Sequence, residues 1–242
     1  MKILIAQADA DPDRFEVNLN PKIYCCEDVR GVRRLYADLL DLPHGRLSIA
    51  GLLRRQAELL LQAHRSADGA VAPIIRSWHP RLVGCSDDQV FASEFSLQDM
   101  LETVAREHGF SQWAQVDALG DDRTDSIFES AVDAVLAGDT ETLGGLIRQS
   151  PALAAQRSSY GHRSTLLHYV AANGVETYRQ VVPMNLHEIT SVLLRAGADP
   201  VATADMYGGG CTALMLLRSS AHPKQAGLVE RVAELLEDAS LA

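Results

Sequence analysis

Cysteine is scarce in this chain: Cys25, Cys26, Cys85 and Cys211 are the only four in 242 residues, and no two stand in a C-x-x-C spacing. Four thiols so placed cannot staple a domain of this size, which predicts reduced cysteines and a cytoplasmic location. Long apolar runs are lacking too. Near the start, Ile3 to Ala6 is only four residues long before Asp9, Asp11 and Asp13, far short of a signal sequence or a membrane span, so no membrane partner is expected. Clustered basic residues are also wanting. The formal charge is -10, and the nearest approaches to a basic patch are Arg30, Arg33 and Arg34, and the pair Arg54 and Arg55. Affinity for a polyanion comes from grouped Lys and Arg, so nucleic acid is excluded as the main partner. No phosphate-binding loop, dinucleotide fingerprint or nucleophile elbow is present, and no cofactor is predicted.

What is there is ordinary globular material, 47% hydrophobic and 22% charged, enough to bury one elongated core or two small ones. Residues 1–46 are the least readable segment. Ile3 to Ile5 suggests a strand, Phe15 to Leu19 alternates apolar and polar, and Val29 to Leu40 carries Val32, Leu35, Tyr36 and Leu39 on one helical side. The stretch Asn18 to Pro43 resembles the first strand and helix of a glyoxalase-like module over one βα unit, which would put Asn18, Glu27 or His44 among its metal ligands. Residues 47–120 read as a helical capping region. Leu52, Leu53, Gln56, Leu59, Leu60 and Ala63 form one stripe, ending near Ser66 to Gly69. Positions 68–93, with Gly69, Pro73, Pro80 and Gly84, read as a packed connection. Ser96 with Asp99 caps a helix that stops at Gly109, and a short helix after Ser111 carries Trp113 and Val116.

From 121 to 242 the sequence repeats. Aligned on a helix-ending glycine, Ala134 to Gly138 with Glu141 matches Ala171 to Gly174 with Glu188. Nine residues before Gly174 stands Thr165, opening Thr-Leu-Leu-His-Tyr-Val, and the same copy closes Leu193 to Pro200 as LLRAGADP. A third copy begins at Thr212-Ala-Leu214, with its second helix from Val229 to Leu236. These motifs resemble the ankyrin-repeat family, whose signature is T-P-L-H-x-A. The resemblance implies a mainly α fold, an ankyrin-repeat α-solenoid of about three helix hairpins with an N-terminal helical cap, and gives His168 a structural bond between neighbouring loops. The first copy departs from the pattern: Glu129 stands where threonine belongs, and Gly138 to Gly174 spans 36 positions against a usual period near 33. The second is longer by an insert, Val175 to Asn185. With Asn-Gly-Val-Glu at 173, Tyr-Arg-Gln at 178, Tyr-Gly-Gly-Gly at 207 and His-Pro at 222, the chain resembles a bacterial subgroup of that family.

Two functions compete. In the first, finger loops near Ser158 to Arg163 and Met206 to Gly210 dock a protein or peptide partner, with Tyr160, His162, Arg163, Tyr178, Arg179, Asn185, Tyr207 and His222 as binding residues, since aromatic and Arg anchors carry interface energy. In the second, an enzyme or small-molecule binder builds its site from the insert 175–187, the 205–210 loop and His222, with the N-terminal region as a second wall. A plainer reading folds Tyr178 and Arg179 back onto the insert, ends a short helix at His222-Pro223 and lays Tyr207 over the glycine loop. A zinc site from His162, His168, Cys211 and His222 would need ligands from separated loops with no paired spacing.

Overall fold

The computed structural model describes residues 22–241, so the expected strand at Ile3 to Ile5, the alternation at Phe15 to Leu19 and Asn18 lie outside the description. The fold is mainly α, with 59% helix, little strand and no closed sheet.

The N-terminal half runs β1 (Ile23–Tyr24), α1 (Glu27–Leu35), α2 (Ala37–Leu40), α3 (Ile49–Arg65), α4 (Ala72–Trp78), α5 (Asp87–Phe91), α6 (Leu97–Glu107) and α7 (Trp113–Asp117). Helix α3 starts where Ser48 Oγ accepts the Gly51 N–H at 3.2 Å, and its stripe buries Leu53, Gln56, Leu60 and Ala63. Helix α6 opens on a capping box: Ser96 Oγ takes the Asp99 N–H at 3.2 Å and Asp99 Oδ2 takes the Ser96 N–H at 2.9 Å. It ends at Gly109, φ +79°, where an added Cβ would lie 2.1 Å from the His162 backbone nitrogen. Only a glycine lets the end of α6 approach the 160–162 turn so closely. The connection 68–93 holds α4 and α5 rather than plain loop. Pro73 falls in the first turn of α4, where its missing N–H costs nothing, and Ser86 boxes with Gln89 to start α5.

The C-terminal half contains α8 (Ser126–Ala137), α9 (Thr140–Gln149), α10 (Leu166–Tyr169), β2 (Val182–Pro183), α11 (Leu186–Arg195), β3 (Thr203–Ala204), β4 (Cys211–Thr212), α12 (Ala213–Ser219), α13 (Ala221–Gln225) and α14 (Val229–Leu241). Helix α8 packs on α9, α10 on both α8 and α12, α11 on both α9 and α14, and α12 on α14. Thr165 and Thr212 both precede the first helix of a pair. The Thr165 hydroxyl meets His168 Nδ1 at 2.8 Å and His168 Nε2 reaches the Cys211 carbonyl at 3.2 Å, while Thr212 Oγ1 takes the Met215 N–H at 3.3 Å. In the first pair that place is filled differently. Helix α8 begins earlier, capped by Asp125, whose Oδ1 accepts from Ile127 and Phe128 at 2.9 and 3.0 Å, so Glu129 stands inside the helix instead of at its start. His222 and Pro223 also differ from expectation: they lie in α13 rather than ending a helix, because Pro223 occupies a first-turn position.

Two apolar cores are interlocked. One joins Phe128 to Leu236 of the paired helices and takes in Cys25 and Val29; the other fills α3 to α7 and takes in Tyr160 and Tyr178. Strand β1 pairs antiparallel with β2, Ile23 opposite Pro183, so the expected strand-helix unit at the start of the described chain is present but completes the insert's edge.

A candidate ligand cleft between the two cores

Where the cores meet, a cavity of about 310 Å³ opens between the N-terminal helices and α8 with the insert. Its apolar wall includes Leu39, Leu40, Ile49, Leu52 and Leu136. Its polar wall comes from Arg33 on α1, Gln56 on α3, Glu129 on α8, and Tyr178 and Arg179 of the insert. The 43–46 loop forms the rim. Arg123 Nη1 donates to the carbonyls of Gly45 at 2.7 Å and Arg46 at 2.6 Å, and His44 Nε2 meets Asp133 Oδ2 at 2.6 Å. That bond to Asp133 raises the His44 pKa, against the opposing effect of burial.

Behind the polar wall lies a buried charge cluster. Arg179 is 5% exposed and donates to Glu129 Oε2 at 2.5 Å and Glu176 Oε1 at 3.2 Å, with its guanidinium over the rings of Tyr169 and Tyr178. Burial opposes the charge of Arg179, but Glu129, Tyr178 and Glu176 together outweigh it, so the guanidinium stays protonated. Burial pushes the Glu176 carboxyl up; the Arg179 guanidinium and then His162 overcome this and hold it well below the usual range. His162 Nδ1 accepts the Ser164 N–H at 3.2 Å, which leaves the ring proton on Nε2, 3.6 Å from Glu176 Oε1. Glu107 has no cation beside it among the described residues. Burial pushes its carboxyl up to about 7, although Oε1 accepts the Thr177 N–H at 2.9 Å. Burial also pulls the neighbouring His108 down to about 4.

The cleft's polar wall is incompletely satisfied. Arg33 Nε, Gln56 Oε1 and Glu129 Oε1 are buried atoms without a hydrogen-bond partner, and all three side chains line the cavity. Buried polar groups normally find partners, so these three, each closed to solvent, leave the wall between the cores imperfectly satisfied.

No family model, curated protein or solved structure matches this chain.

The residues predicted from sequence as a docking face are divided by the structure. Tyr160, His162, Tyr178 and Arg179 are buried in or beside the charge cluster and offer nothing to a partner's surface. The reason is that Glu129 and Glu176 draw Arg179 inward, and the insert follows. Asn185 anchors the insert, its Nδ2 donating to the Gly138 carbonyl at 2.9 Å. Arg163 is exposed. Nor do the insert, the 205–210 loop and His222 converge on one pocket. His222 Nε2 instead meets Gln180 Oε1 at 3.1 Å, and Tyr207 stacks on Trp78 with ring centroids 5.8 Å apart while its hydroxyl donates to Asn173 Oδ1 at 2.8 Å. Tyr207 therefore lies against the N-terminal half rather than over the glycine loop. Among the described residues no group of His, Cys, Asp or Glu is arranged to hold a metal ion, and none of the helices is long and apolar enough to cross a membrane.

Sequence reasoning gave no functional role to Arg33, Gln56, Glu107, Glu129 and Glu176. One signal was available: Glu129 breaks the repeat pattern with a charge at a position that the later copies keep for threonine.

Proposed function

We propose that the protein binds a small molecule in the cleft between its two cores, with an apolar body against the leucines and a polar end on Gln56, Glu129 and Arg33. The observation that carries this reading is a 310 Å³ cavity that sets an apolar wall of Leu39, Leu40, Leu52 and Leu136 against the polar side chains of Arg33, Gln56 and Glu129. The test is native mass spectrometry of the purified full chain, with melting curves against a panel of small polar-apolar compounds. Wild-type protein should retain a small molecule or be stabilised by one, and Leu40→Trp, which fills the cleft from its half-exposed rim, should do neither while melting normally. Equal retention by the variant would sink the reading.

The scaffold is proposed to be a short ankyrin-type stack with a helical cap. Its support is the alternate packing of α8 to α14, the like positions of Thr165 and Thr212, and the His168 bond to the next loop. A cytoplasmic location belongs to the same reading, with all four thiols free. Docking of a protein or peptide is a second reading, favoured by the Trp78 and Tyr207 pair beside a shallow hollow, where Tyr207 is 63% and Val83 67% exposed. On that reading Tyr207→Ala abolishes capture of a partner that Leu40→Trp still captures; capture by both variants alike would discard this surface.

A further inference from the structure

Resting on the reading of the cleft as a ligand site, the charges along its wall say what kind of molecule it takes. Both carboxyls on that wall are engaged, Glu129 Oε2 by Arg179 at 2.5 Å and Asp133 Oδ2 by His44 at 2.6 Å. The oxygens of Gln56 and Glu129 that lack partners are closed to solvent and offer nothing to an incoming molecule. Arg33 and Arg46 line the same cleft, and neither has an ion-pair partner among the described residues. The Arg33 guanidinium is fixed by Nη1, which donates to the Tyr178 carbonyl at 2.9 Å; Nε is closed to solvent, which leaves Nη2 as the free donor. Arg46 is exposed, on a loop pinned by the bonds from Arg123 to the Gly45 and Arg46 carbonyls. The charge open to a ligand is therefore of one sign. Apolar surface, meanwhile, runs from the interior to the mouth: Leu136 is 7% exposed, Leu40 and Leu52 are half-buried, and Leu42 and Leu47 are each 36% exposed.

We infer that the cleft takes an organic anion with an apolar chain, an aliphatic carboxylate of medium length. Its carboxylate accepts from Arg33 Nη2, Arg46 adds attraction from the rim, and its chain lies against Leu40, Leu52 and Leu136. An amine of the same length sets a cation beside two guanidiniums that have no counter-charge, and an alcohol forgoes the charge-assisted bond. A short anion forgoes the apolar wall, at about fourfold in affinity per methylene. The chain has room, since 310 Å³ is at the lower end of the range for small-molecule sites.

Equilibrium dialysis of the full chain at neutral pH and low salt tests this with octanoate, octylamine, 1-octanol and acetate, the amphiphiles kept below their micellar concentrations. Octanoate should bind at least about tenfold more tightly than the amine or the alcohol, the value of one charge-assisted hydrogen bond. It should bind at least about a hundredfold more tightly than acetate. Arg33→Met should remove the advantage of octanoate over octanol and leave the affinity of octanol unchanged, and Leu40→Trp should remove binding of both. Comparing probes within one variant keeps the result independent of any loss of stability. Octylamine or octanol binding as tightly as octanoate, and lost in Leu40→Trp, would overturn the charge assignment while leaving the cleft in place as a ligand site. Octanoate held equally by Arg33→Met or by Leu40→Trp would overturn it by setting the carboxylate or the chain elsewhere. Failure of octanoate to bind at all would overturn it too, and the cleft would then stand or fall by what the purified chain retains and Leu40→Trp does not.

Discussion

Glu107 sets the first prediction, because it is a fully buried carboxyl with no cation beside it among the described residues. Its pKa in the folded chain, about 7, lies above the ordinary 4.5, so the neutral acid is the form that favours folding. That stabilisation is complete below about pH 4.5 and is lost as pH rises through about 7. Glu107→Gln keeps the acceptor for the Thr177 N–H and should raise stability at pH 8 by on the order of 3 kcal/mol, with the gain vanishing near pH 4. Urea unfolding at both values checks it; an equal effect at both would refute the assignment. His108 and His168, each pulled down to about 4 by burial, act in the opposite direction: their contribution is present above 6.5 and disappears as pH falls through about 4. Arg179 shows the other face of burial. Replacing it with Met leaves Glu129 and Glu176 buried without a cation, which should cost about 3–5 kcal/mol in the same assay. Tyr160, Tyr178 and Arg179 are buried, so the plainer expectation that Tyr178 and Arg179 fold back onto the insert describes their setting better than a docking face does. Their types are visible in sequence, whereas one of the two carboxyls that hold Arg179 inward, Glu129, stands fifty residues away.

Among the elements, legibility followed local chemistry. Helices α3, α6 and α8 carry their caps within three residues, Ser48, Ser96 and Asp125, so their starts can be read without knowing the fold. Helices α4 and α5 were hidden because Pro73 and Pro80 look like breakers, and only the turn position of Pro73 makes it harmless. Strand β1 falls within the stretch that reads as a strand and helix, whereas β2 is not readable, since a two-residue strand exists only through its partner. The junction of α6 with the 160–162 turn yields a further prediction. Gly109→Ala sets a methyl 2.1 Å from the His162 nitrogen at a φ of +79°, and either the turn or the end of α6 must move. The expected loss is about 2 kcal/mol or more, read as a lower melting temperature, and an unchanged one would mean that the junction yields freely.

For the molecule as a whole, both apolar cores draw residues from across the boundaries read at 46 and 120. Tyr160 and Tyr178 complete the core of the N-terminal helices, and Cys25 and Val29 complete the core of the paired helices. Denaturant unfolding should accordingly show one transition, coincident by tryptophan fluorescence and circular dichroism, with Trp78 and Trp113 both reporting from the N-terminal half. Two separated transitions would contradict the interlock. The cleft was illegible for the same reason, since its walls belong to segments that the sequence presents as separate regions.

The pairing of β1 with β2 has a consequence for how the chain is made. Ile23 leaves the ribosome about 160 residues ahead of Pro183, its partner, and Tyr36 waits almost as long for Tyr178. During that interval the nascent N-terminal helices must carry an open apolar flank, so closure is postponed until translation has passed the insert. Such distant contacts slow folding and lengthen exposure to aggregation. The protein's dependence on chaperones should therefore be concentrated in the stretch of synthesis before residue 183.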